Sequence, residues 1–205
     1  NGDDSLDGGA GTDTASYAAA TDSVVVNLGT GRATGAAGAD TLSNVEGVVG
    51  SSFDDTLTSG VAAATLLGGD GNDSLTGGNG NDLLLGGGDN DTIFASLGDD
   101  TLDGGDGNDR ITSGHGANSV MGGAGNDRIF VGNDNDTVDG GSGIDRVEFS
   151  AATASVVVDL ATGTATGGAG NDSLINVEEA VGSSHADTLI GNAGANSVSY
   201  THLRA

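Results

Sequence analysis

The chain has 205 residues, of which 40 are Gly, 30 are acidic and only 5 are basic, so its formal net charge is −25. This charge argues against nucleic acid and anionic membranes as partners and favours a cation, of which Ca²⁺ fits best. With 3% aromatic residues, no Trp and no Cys, the composition excludes a conventional core of large side chains, a disulfide framework and a thiolate metal site.

Residues 1–49 combine a Gly/Asp-rich beginning with a plainer stretch. Residues 17–34 contain fewer glycines and include the strand-like run SVVVNL, so we expect one plainer coil there, in the same nine-residue phase as the rest. The six-residue segment NVEGVV, which begins at Asn44, shifts that phase once. Such a shift predicts a bulge or a corner.

Residues 50–148 divide into eleven consecutive nonapeptides without a gap. Repeats such as GGDGNDSLT (from Gly68) and GGAGNDRIF (from Gly122) have Gly at positions one, two and four and Asp at position six. Position eight is aliphatic in every repeat: Leu57, Leu66, Leu75, Leu84, Ile93, Leu102, Ile111, Val120, Ile129, Val138 and Val147. This period predicts short strands that bury position eight in a narrow core between two stacked sheets.

Residues 149–199 form a second copy of the first segment, since residues 8–58 realign on residues 140–190 at an offset of 132 with 31 of 51 positions identical. We therefore expect a plainer coil at residues 149–166 and a corner at NVEEAV, from Asn176. Residues 200–205 leave the pattern, and we interpret them as a non-native read-through tail. The sequence contains neither a stretch of about 18 apolar residues nor a recognisable signal peptide, and we interpret it as a fragment of a longer protein.

The nonapeptides resemble the RTX (repeats-in-toxin) family of haemolysin-type calcium-binding repeats, whose pattern is G-G-x-G-x-D-x-U-x. The resemblance covers residues 50–148 continuously and most of the remainder through the duplicated segment. It implies an all-β fold, a parallel β-roll (β-helix solenoid) in which six-residue turns lead into three-residue strands and eighteen residues make one coil. It also implies that several Ca²⁺ ions lie between stacked turns.

The physical chemistry of the turns agrees with calcium binding. Glycine at positions one, two and four permits positive φ and lets carbonyl groups approach a cation, and Ca²⁺ accepts six to eight oxygen ligands in a forgiving geometry. The resemblance assigns the charged ligands to the acids at position six: Asp13, Asp40, Asp55, Asp73, Asp82, Asp91, Asp100, Asp109, Asp127, Asp136, Asp145, Asp172 and Asp187. The expected carbonyl ligands belong to glycines at positions two and four: Gly69, Gly71, Gly78, Gly80, Gly87, Gly105, Gly107, Gly123, Gly125, Gly141 and Gly143.

Alternate turns should stack on the same edge of such a roll. The turns that begin at Gly50 and at every eighteenth residue up to Gly140 keep all six position-six acids, and we call this the intact edge. The other edge, which we call the interrupted edge, has Ala64 and Asn118 in place of Asp. We predict about five tight sites on the intact edge, one between the turns from Gly77 and Ala95, and up to three weaker ones.

Three arginines recur every eighteen residues at position seven: Arg110, Arg128 and Arg146. Stacking would place them on one outer face of a sheet. We expect them to balance the charge of acidic residues of the roll, namely Asp103, Asp139 and Glu148, and recognition of an acidic partner is the alternative.

The sequence favours a calcium-binding module that is mostly unfolded without metal and folds in extracellular calcium at about 10⁻³ M. The resemblance implies type I secretion by a Gram-negative bacterium, hence an extracellular or cell-surface location. One alternative is a stalk or spacer of a bacterial surface adhesin, and another is the C-terminal part of an exported protease, lipase or epimerase whose catalytic domain lies elsewhere. No HExxH or GxSxG motif and no nucleophile–base pair occurs in the sequence, so we expect no catalysis, no nucleic-acid binding and no membrane insertion by these residues. Whether a protein or glycan is a partner stays open.

Overall fold

The computed structural model describes residues 2–36 and 38–199. All regular elements in these residues are β-strands, and they form one sheet of twelve strands and one of eleven. Parallel neighbours in a sheet are mostly eighteen residues apart, as where Leu84 pairs with Leu66 on one side and Leu102 on the other. The chain is therefore the parallel β-roll that was expected, with eighteen residues in a regular coil. The described residues contain no helix of the length and apolarity that crossing a membrane requires.

Each sheet contains strands from successive coils. The first sheet has the spatial order β1 (Ser5–Asp7), β5 (Gly38–Ser43), β4 (Arg32–Gly35), β3 (Val24–Asn27), β7 (Thr56–Thr58), β9 (Ser74–Thr76), β11 (Thr92–Phe94), β13 (Arg110–Thr112), β15 (Arg128–Phe130), β17 (Arg146–Glu148), β21 (Glu179–Val181) and β23 (Ser197–Ser199). The second has the order β2 (Thr14–Ser16), β6 (Gly47–Val49), β8 (Thr65–Gly69), β10 (Leu83–Gly88), β12 (Thr101–Asp106), β14 (Ser119–Ala124), β16 (Thr137–Ser142), β20 (Gly170–Ile175), β19 (Thr164–Gly167), β18 (Val156–Asp159) and β22 (Thr188–Ile190).

The core is a row of aliphatic side chains between the two sheets. All eleven position-eight residues point into it, with exposed fractions between 0% and 2%, which confirms the prediction from the period. Phe149 and Tyr17, at corresponding places in the two copies, are buried beside this row. One aliphatic side chain for nine ordered residues is a small apolar contribution to set against the entropy of ordering the backbone.

Strand length differs between the sheets. In the regular region the first sheet has strands of three residues, as expected, whereas β10, β12, β14 and β16 of the second sheet have six. The longer strands continue into the glycines of the following repeat, so that Gly87 pairs with Gly69 and Gly105 in neighbouring strands. The turns that leave the second sheet are therefore partly continuous with it.

The prediction of one plainer coil for residues 17–34 and for residues 149–166 is wrong. In the first copy β3, β4 and β5 form an antiparallel meander, and in the second copy β18, β19 and β20 do the same. The physical reason lies in the link after the Val run, where the Asn27 side chain accepts a hydrogen bond from the Thr30 N–H and Gly31 takes φ 65°. This tight turn reverses the chain, whereas a six-residue Gly-rich turn carries it across to the other sheet.

The corner predicted at the six-residue segments is confirmed. Ile175 pairs with Asp139 and Glu179 pairs with Arg146, so the three residues 176–178 lie beside the six residues 140–145 of the preceding coil. In the first copy three residues, 44–46, likewise separate β5 from β6. Asn44 and Asn176 adopt left-handed φ values of 51° and 49° there. The meander of the first copy lies in the first sheet and that of the second copy lies in the second sheet, so the two copies present this feature on opposite faces of the roll.

The three arginines stack as predicted, since Arg128 pairs in register with Arg110 and Arg146 in the first sheet. Arg128 forms an ion pair with Glu148, and Arg146 forms one with Glu179. The expected balance of charge is thus found for Glu148. The prediction is wrong for Asp103 and Asp139, because these two acids lie in strands of the second sheet, away from the arginines of the first.

Candidate metal-binding turns

The repeat places one carboxylate at the end of most turns, where a strand begins. Asp73, for example, directly precedes β9 and Asp109 directly precedes β13, so the backbone of the sheet fixes both residues. Eleven of the thirteen predicted ligand acids are buried, with exposed fractions of 5% or less. The other two, Asp13 and Asp187, are half-buried.

One oxygen of each carboxylate joins adjacent coils. The Asp91 N–H donates to Asp109 Oδ1 over 2.7 Å, and the Asp109 N–H donates to Asp127 Oδ1 over 2.8 Å. The same bond repeats along the whole intact edge between Asp55 and Asp145. A second series runs along the interrupted edge from Ala64 through Asn118 to the second copy. Alternate turns are therefore sorted onto two edges, as the sequence predicted.

The second oxygen of many of these carboxylates is buried without a hydrogen-bond partner among the described residues. These Oδ2 atoms belong to Asp13, Asp73, Asp91, Asp100, Asp109, Asp127, Asp145, Asp172 and Asp187. An ionised oxygen that is buried and unpaired is costly, and a proton or a cation removes that cost. Five of the nine, those of Asp73, Asp91, Asp109, Asp127 and Asp145, lie on the intact edge.

A position-one glycine lies beside six of these nine oxygens, namely those of Asp73, Asp91, Asp109, Asp127, Asp145 and Asp187. A Cβ at Gly86 would overlap Asp91 Oδ2 and lie 2.5 Å from the carbonyl oxygen of Gly104 in the next coil, and Gly68 and Gly104 are in the same situation. These glycines do not have positive φ, so the expectation for position one is wrong and the reason for glycine there is space. Each of these three glycines thus lets a carboxylate oxygen of its own turn and a carbonyl oxygen of the next coil approach its Cα closely.

The glycines at positions two and four do have positive φ, from 96° to 142°, at every predicted carbonyl position except Gly78. Their carbonyl groups face along the stack, because a Cβ at Gly105 would overlap the Gly87 carbonyl and one at Gly125 would overlap the Gly107 carbonyl. The carbonyl of position one is a candidate ligand that sequence reasoning missed. The presence of glycine at position one of the best-matched repeats could have indicated this carbonyl as a ligand.

Some turns already satisfy the second carboxylate oxygen with protein donors. The Asp82 Oδ2 accepts hydrogen bonds from the Gly78 N–H (2.9 Å) and the Ser59 hydroxyl (3.4 Å). The Asp136 Oδ2 accepts one from the Ser113 hydroxyl (3.3 Å). The Ser51 N–H likewise donates to Asp55 Oδ2. In these turns the hydrogen bonds already stabilise the buried oxygen, so a cation would stabilise it less than in the turns where Oδ2 is unpaired.

The degenerate turns of the interrupted edge also lack a free anionic oxygen. Asn118 keeps the inter-coil bond, accepting from the Asp100 N–H through Oδ1, but its Nδ2 donates to the Gly116 carbonyl over 3.0 Å. Ala64 has no side-chain oxygen at all. Between these two turns only Asp100 has an unpaired Oδ2. Asp100 belongs to the turn from Ala95, and the sequence predicted one tight site between this turn and the turn from Gly77.

Two predicted ligands lie in strands instead of turns. Asp40 is in β5 and accepts from the Asp4 N–H (2.9 Å), and Asp172 is in β20 and accepts from the Asp136 N–H (3.0 Å). Both keep the inter-coil bond although the meander replaces the six-residue turn. Asp187 Oδ1 accepts from the Val156 N–H (2.9 Å), the first residue of β18.

Burial raises the pKa of many of these carboxyl groups. It raises the pKa to about 7 at three of them and to about 6 at two more: Asp73, Asp91 and Asp172, then Asp109 and Asp145. Neighbouring carboxylates raise the pKa further, and the backbone N–H bonds oppose the increase. A cation bound in the turns would favour the ionised carboxylates and so lower these pKa values.

No group of three or more His, Cys, Asp or Glu side chains converges within residues 2–36 and 38–199. A cation in these turns would therefore be held by one or two carboxylates together with backbone carbonyls. That donor set consists entirely of oxygen and suits a hard cation with flexible coordination, which is the chemistry of Ca²⁺ rather than of Zn²⁺.

Comparison with known families gives one match. A family model described as an RTX calcium-binding nonapeptide repeat, in four copies, matches residues 1–24, 60–93, 85–119, 112–147 and 181–199. These ranges cover more than half of the chain and include turns of both edges. No curated protein matches the chain.

Proposed function

Because the chain belongs to the RTX calcium-binding nonapeptide repeat family, we propose that its stacked turns hold several Ca²⁺ ions and that their binding folds the chain outside the cell. The observation that carries this proposal is the series of buried carboxylate oxygens without a partner. Bound Ca²⁺ supplies the positive charge that these oxygens lack. The matched family is a calcium-binding repeat and not a catalytic one.

Carboxylate, glycine and carbonyl groups have different roles in each proposed site. Oδ1 of most position-six Asp residues accepts the backbone N–H of the preceding coil, which fixes the distance between coils, and Oδ2 can face a cation wherever no protein group donates to it. Position-one glycine has no Cβ to displace Oδ2, and the position-one carbonyl of the next coil lies close to the same glycine. We propose that the thirteen predicted acids are ligands on this basis, with the carbonyls of positions one, two and four as the neutral donors.

Folding and metal binding are coupled because the same turns do both. Stacking the coils brings buried carboxylates together along each edge, and the aliphatic core is small, so the chain without metal has little to offset the cost of ordering. Metal binding to a site that exists only in the folded state adds its free energy to folding. A chain of this kind stays unfolded where calcium is scarce and folds where it is about 10⁻³ M.

This coupling supports a secreted protein, exported by type I secretion as an unfolded chain. The lack of Cys is compatible with that route. A stalk of a bacterial surface adhesin is a second candidate, and the observation that favours it is the duplication at an offset of 132 residues. Both copies continue the same two sheets, so further copies would lengthen the roll without a new interface.

Sedimentation velocity tests the proposal on the whole chain, first in EGTA and then in 1 mM free calcium. We expect an expanded particle in EGTA and a compact one in calcium, with several ions taken up for each chain in equilibrium dialysis. A chain that takes up no calcium at millimolar concentration contradicts the proposed function.

A further inference from the structure

The two three-residue turns lack a position-six Asp, and a glutamate stands in its place. The Asp13 N–H donates to Glu46 Oε2 over 3.0 Å, and the Asp145 N–H donates to Glu178 Oε2 over 3.0 Å. In a regular turn the same N–H donates to Oδ1 of the next Asp along the edge. Glu46 and Glu178 therefore continue the series of carboxylates through the corner.

The surroundings of the two glutamates are the same, although one turn is on the interrupted edge and the other is on the intact edge. The Glu46 N–H donates to the Asp13 carbonyl over 3.0 Å, and the Glu178 N–H donates to the Asp145 carbonyl over 3.1 Å. The additional methylene of glutamate lets its carboxylate reach the preceding coil from a turn that is three residues shorter. Recurrence at an offset of 132 residues marks this as a built arrangement.

The asparagine that opens each short turn is held equally firmly. Asn44 Nδ2 donates to Asp7 Oδ1 and Asn176 Nδ2 donates to Asp139 Oδ1, both over 2.8 Å. This bond and the left-handed φ orient the carbonyl of each asparagine back along the stack. A Cβ at Gly140 would overlap the Asn176 carbonyl, so this carbonyl takes the place that a position-one glycine carbonyl has in a regular turn.

An unpaired oxygen completes each arrangement. Asp145 is fully buried, and its Oδ2 lacks a hydrogen-bond partner in the described part of the chain. It lies 2.9 Å from the position of a Cβ at Gly140, beside the Asn176 carbonyl. Asp13 Oδ2 is likewise unpaired, and a Cβ at Gly8 would overlap the Asn44 carbonyl.

We propose that each short turn completes a further calcium site, in which glutamate supplies a second carboxylate. One site comprises the Asp145 and Glu178 carboxylates and the Asn176 carbonyl, and the other comprises the corresponding groups of Asp13, Glu46 and Asn44. The inference rests on the proposed function and adds one site for each duplicated segment, on alternate edges. These sites join the regular coils to the meander, where the six-residue turns are interrupted.

The remaining glutamates of the chain provide a contrast. The sequence contains four glutamates, and the other two form ion pairs with arginines on the outer face of the first sheet: Glu148 and Glu179. Glu179 directly follows Glu178 but points its carboxylate to Arg146. The substitution Glu179→Gln therefore removes the same charge one residue away from the proposed site.

Native mass spectrometry of the calcium-saturated chain tests the inference by counting bound ions at one free calcium concentration. We expect Glu178→Gln to lose one ion, Glu46→Gln with Glu178→Gln to lose two, and Glu179→Gln to lose none. Glutamine keeps an oxygen that can accept the Asp13 or Asp145 N–H, so circular dichroism should show that the variants still fold. An unchanged ion count in the double variant overturns the inference, whereas the absence of calcium uptake by the wild-type chain overturns the proposed function instead.

A crystal of the calcium-loaded wild-type chain gives a test that does not depend on how a variant folds. Anomalous scattering from calcium should show an ion within about 2.6 Å of the Glu178 carboxylate and the Asn176 carbonyl. Ions in the turns between Gly50 and Gly140 without one at Glu178 would overturn the inference and leave the proposed function in place.

Discussion

Replacing Asp109 by Asn should have opposite effects with and without calcium. Asp109 lies in the middle of the intact edge, its Oδ1 accepts the Asp91 N–H, and its buried Oδ2 is unpaired. Asparagine keeps an oxygen for the N–H bond and removes the negative charge. The substitution therefore isolates the charge from the inter-coil hydrogen bond.

The magnitude without calcium follows from the pKa. Burial raises the pKa of Asp109 from its ordinary 3.8 to about 6, and two pKa units correspond to about 3 kcal/mol at a pH well above both values. A raised pKa means that the folded chain binds the proton more tightly, so the ionised group disfavours folding above pH 6 and this penalty disappears as the pH falls toward 3.8. At pH 8 we expect Asp109→Asn to stabilise the calcium-free fold by up to about 3 kcal/mol.

With calcium the sign reverses, because the charge that disfavours the empty fold attracts the ion. Loss of this ligand charge should weaken or empty one calcium site, and we expect that loss to outweigh the relief of the burial penalty, so the calcium midpoint should rise. The matched control is Asp106→Asn, since Asp106 is exposed in the same turn and its loss removes the same charge. The control should change neither quantity by more than about 0.5 kcal/mol.

Two titrations followed by circular dichroism check this prediction. The first measures the concentration of trimethylamine N-oxide that folds half of the chain in EGTA at pH 8, and the second measures the calcium midpoint. We expect Asp109→Asn to need less osmolyte and more calcium than the wild type. If both midpoints move in the direction of lower stability, or if Asp106→Asn behaves in the same way, the reasoning about the buried charge is refuted.

Three further predictions concern protons, glycine and metal choice. The calcium-bound fold should lose stability as the pH falls toward 4, because protonation of turn carboxyl groups, whose ordinary pKa is near 4, removes the charge that holds the ion; a melting temperature that does not change between pH 7 and pH 4 at limiting calcium would count against it. Gly86→Ala should raise the calcium midpoint because its methyl group would overlap Asp91 Oδ2. Gly88→Ala should raise the midpoint little, because its methyl group would meet only Asp70 Oδ1 at 3.5 Å. Similar shifts for the two variants would contradict the role given to position one. Magnesium should fold the chain poorly at concentrations where calcium folds it, because Mg²⁺ demands a tighter octahedral geometry, and equal midpoints for the two ions in circular dichroism would exclude a calcium-specific site.

The spacing of strands and coils in the regular part of the fold could be predicted from the sequence because one period sets it. A residue buried every nine positions, at Leu84 and Leu102 alike, specifies strand spacing, coil length and which edge each turn occupies. The same period predicted that Ala64 and Asn118 interrupt one edge. The ligand role of each acid stays a prediction, although the unpaired oxygen of Asp109 supports it.

The irregular parts could not be predicted from the period, because local turn chemistry overrides it. Residues 17–34 keep the nine-residue phase, but the turn at Asn27 and Gly31 closes a hairpin and reverses the chain. The position-one glycines were interpreted as a conformational requirement, whereas Gly86 is needed for the space beside Asp91. Glu46 escaped notice because it lies outside the nonapeptide pattern, and its role depends on a contact with Asp13, 33 residues earlier.

The central claim is that calcium supplies the free energy that folds this roll, and far-ultraviolet circular dichroism of the whole chain during a calcium titration tests it most directly. The account predicts a largely disordered spectrum in EGTA at pH 7.5, a cooperative change to a β-rich spectrum between sub-millimolar and millimolar free calcium, and a return to disorder when EGTA is added again. A chain that is already β-rich in EGTA and melts cooperatively there, with a transition that calcium does not shift, would contradict it.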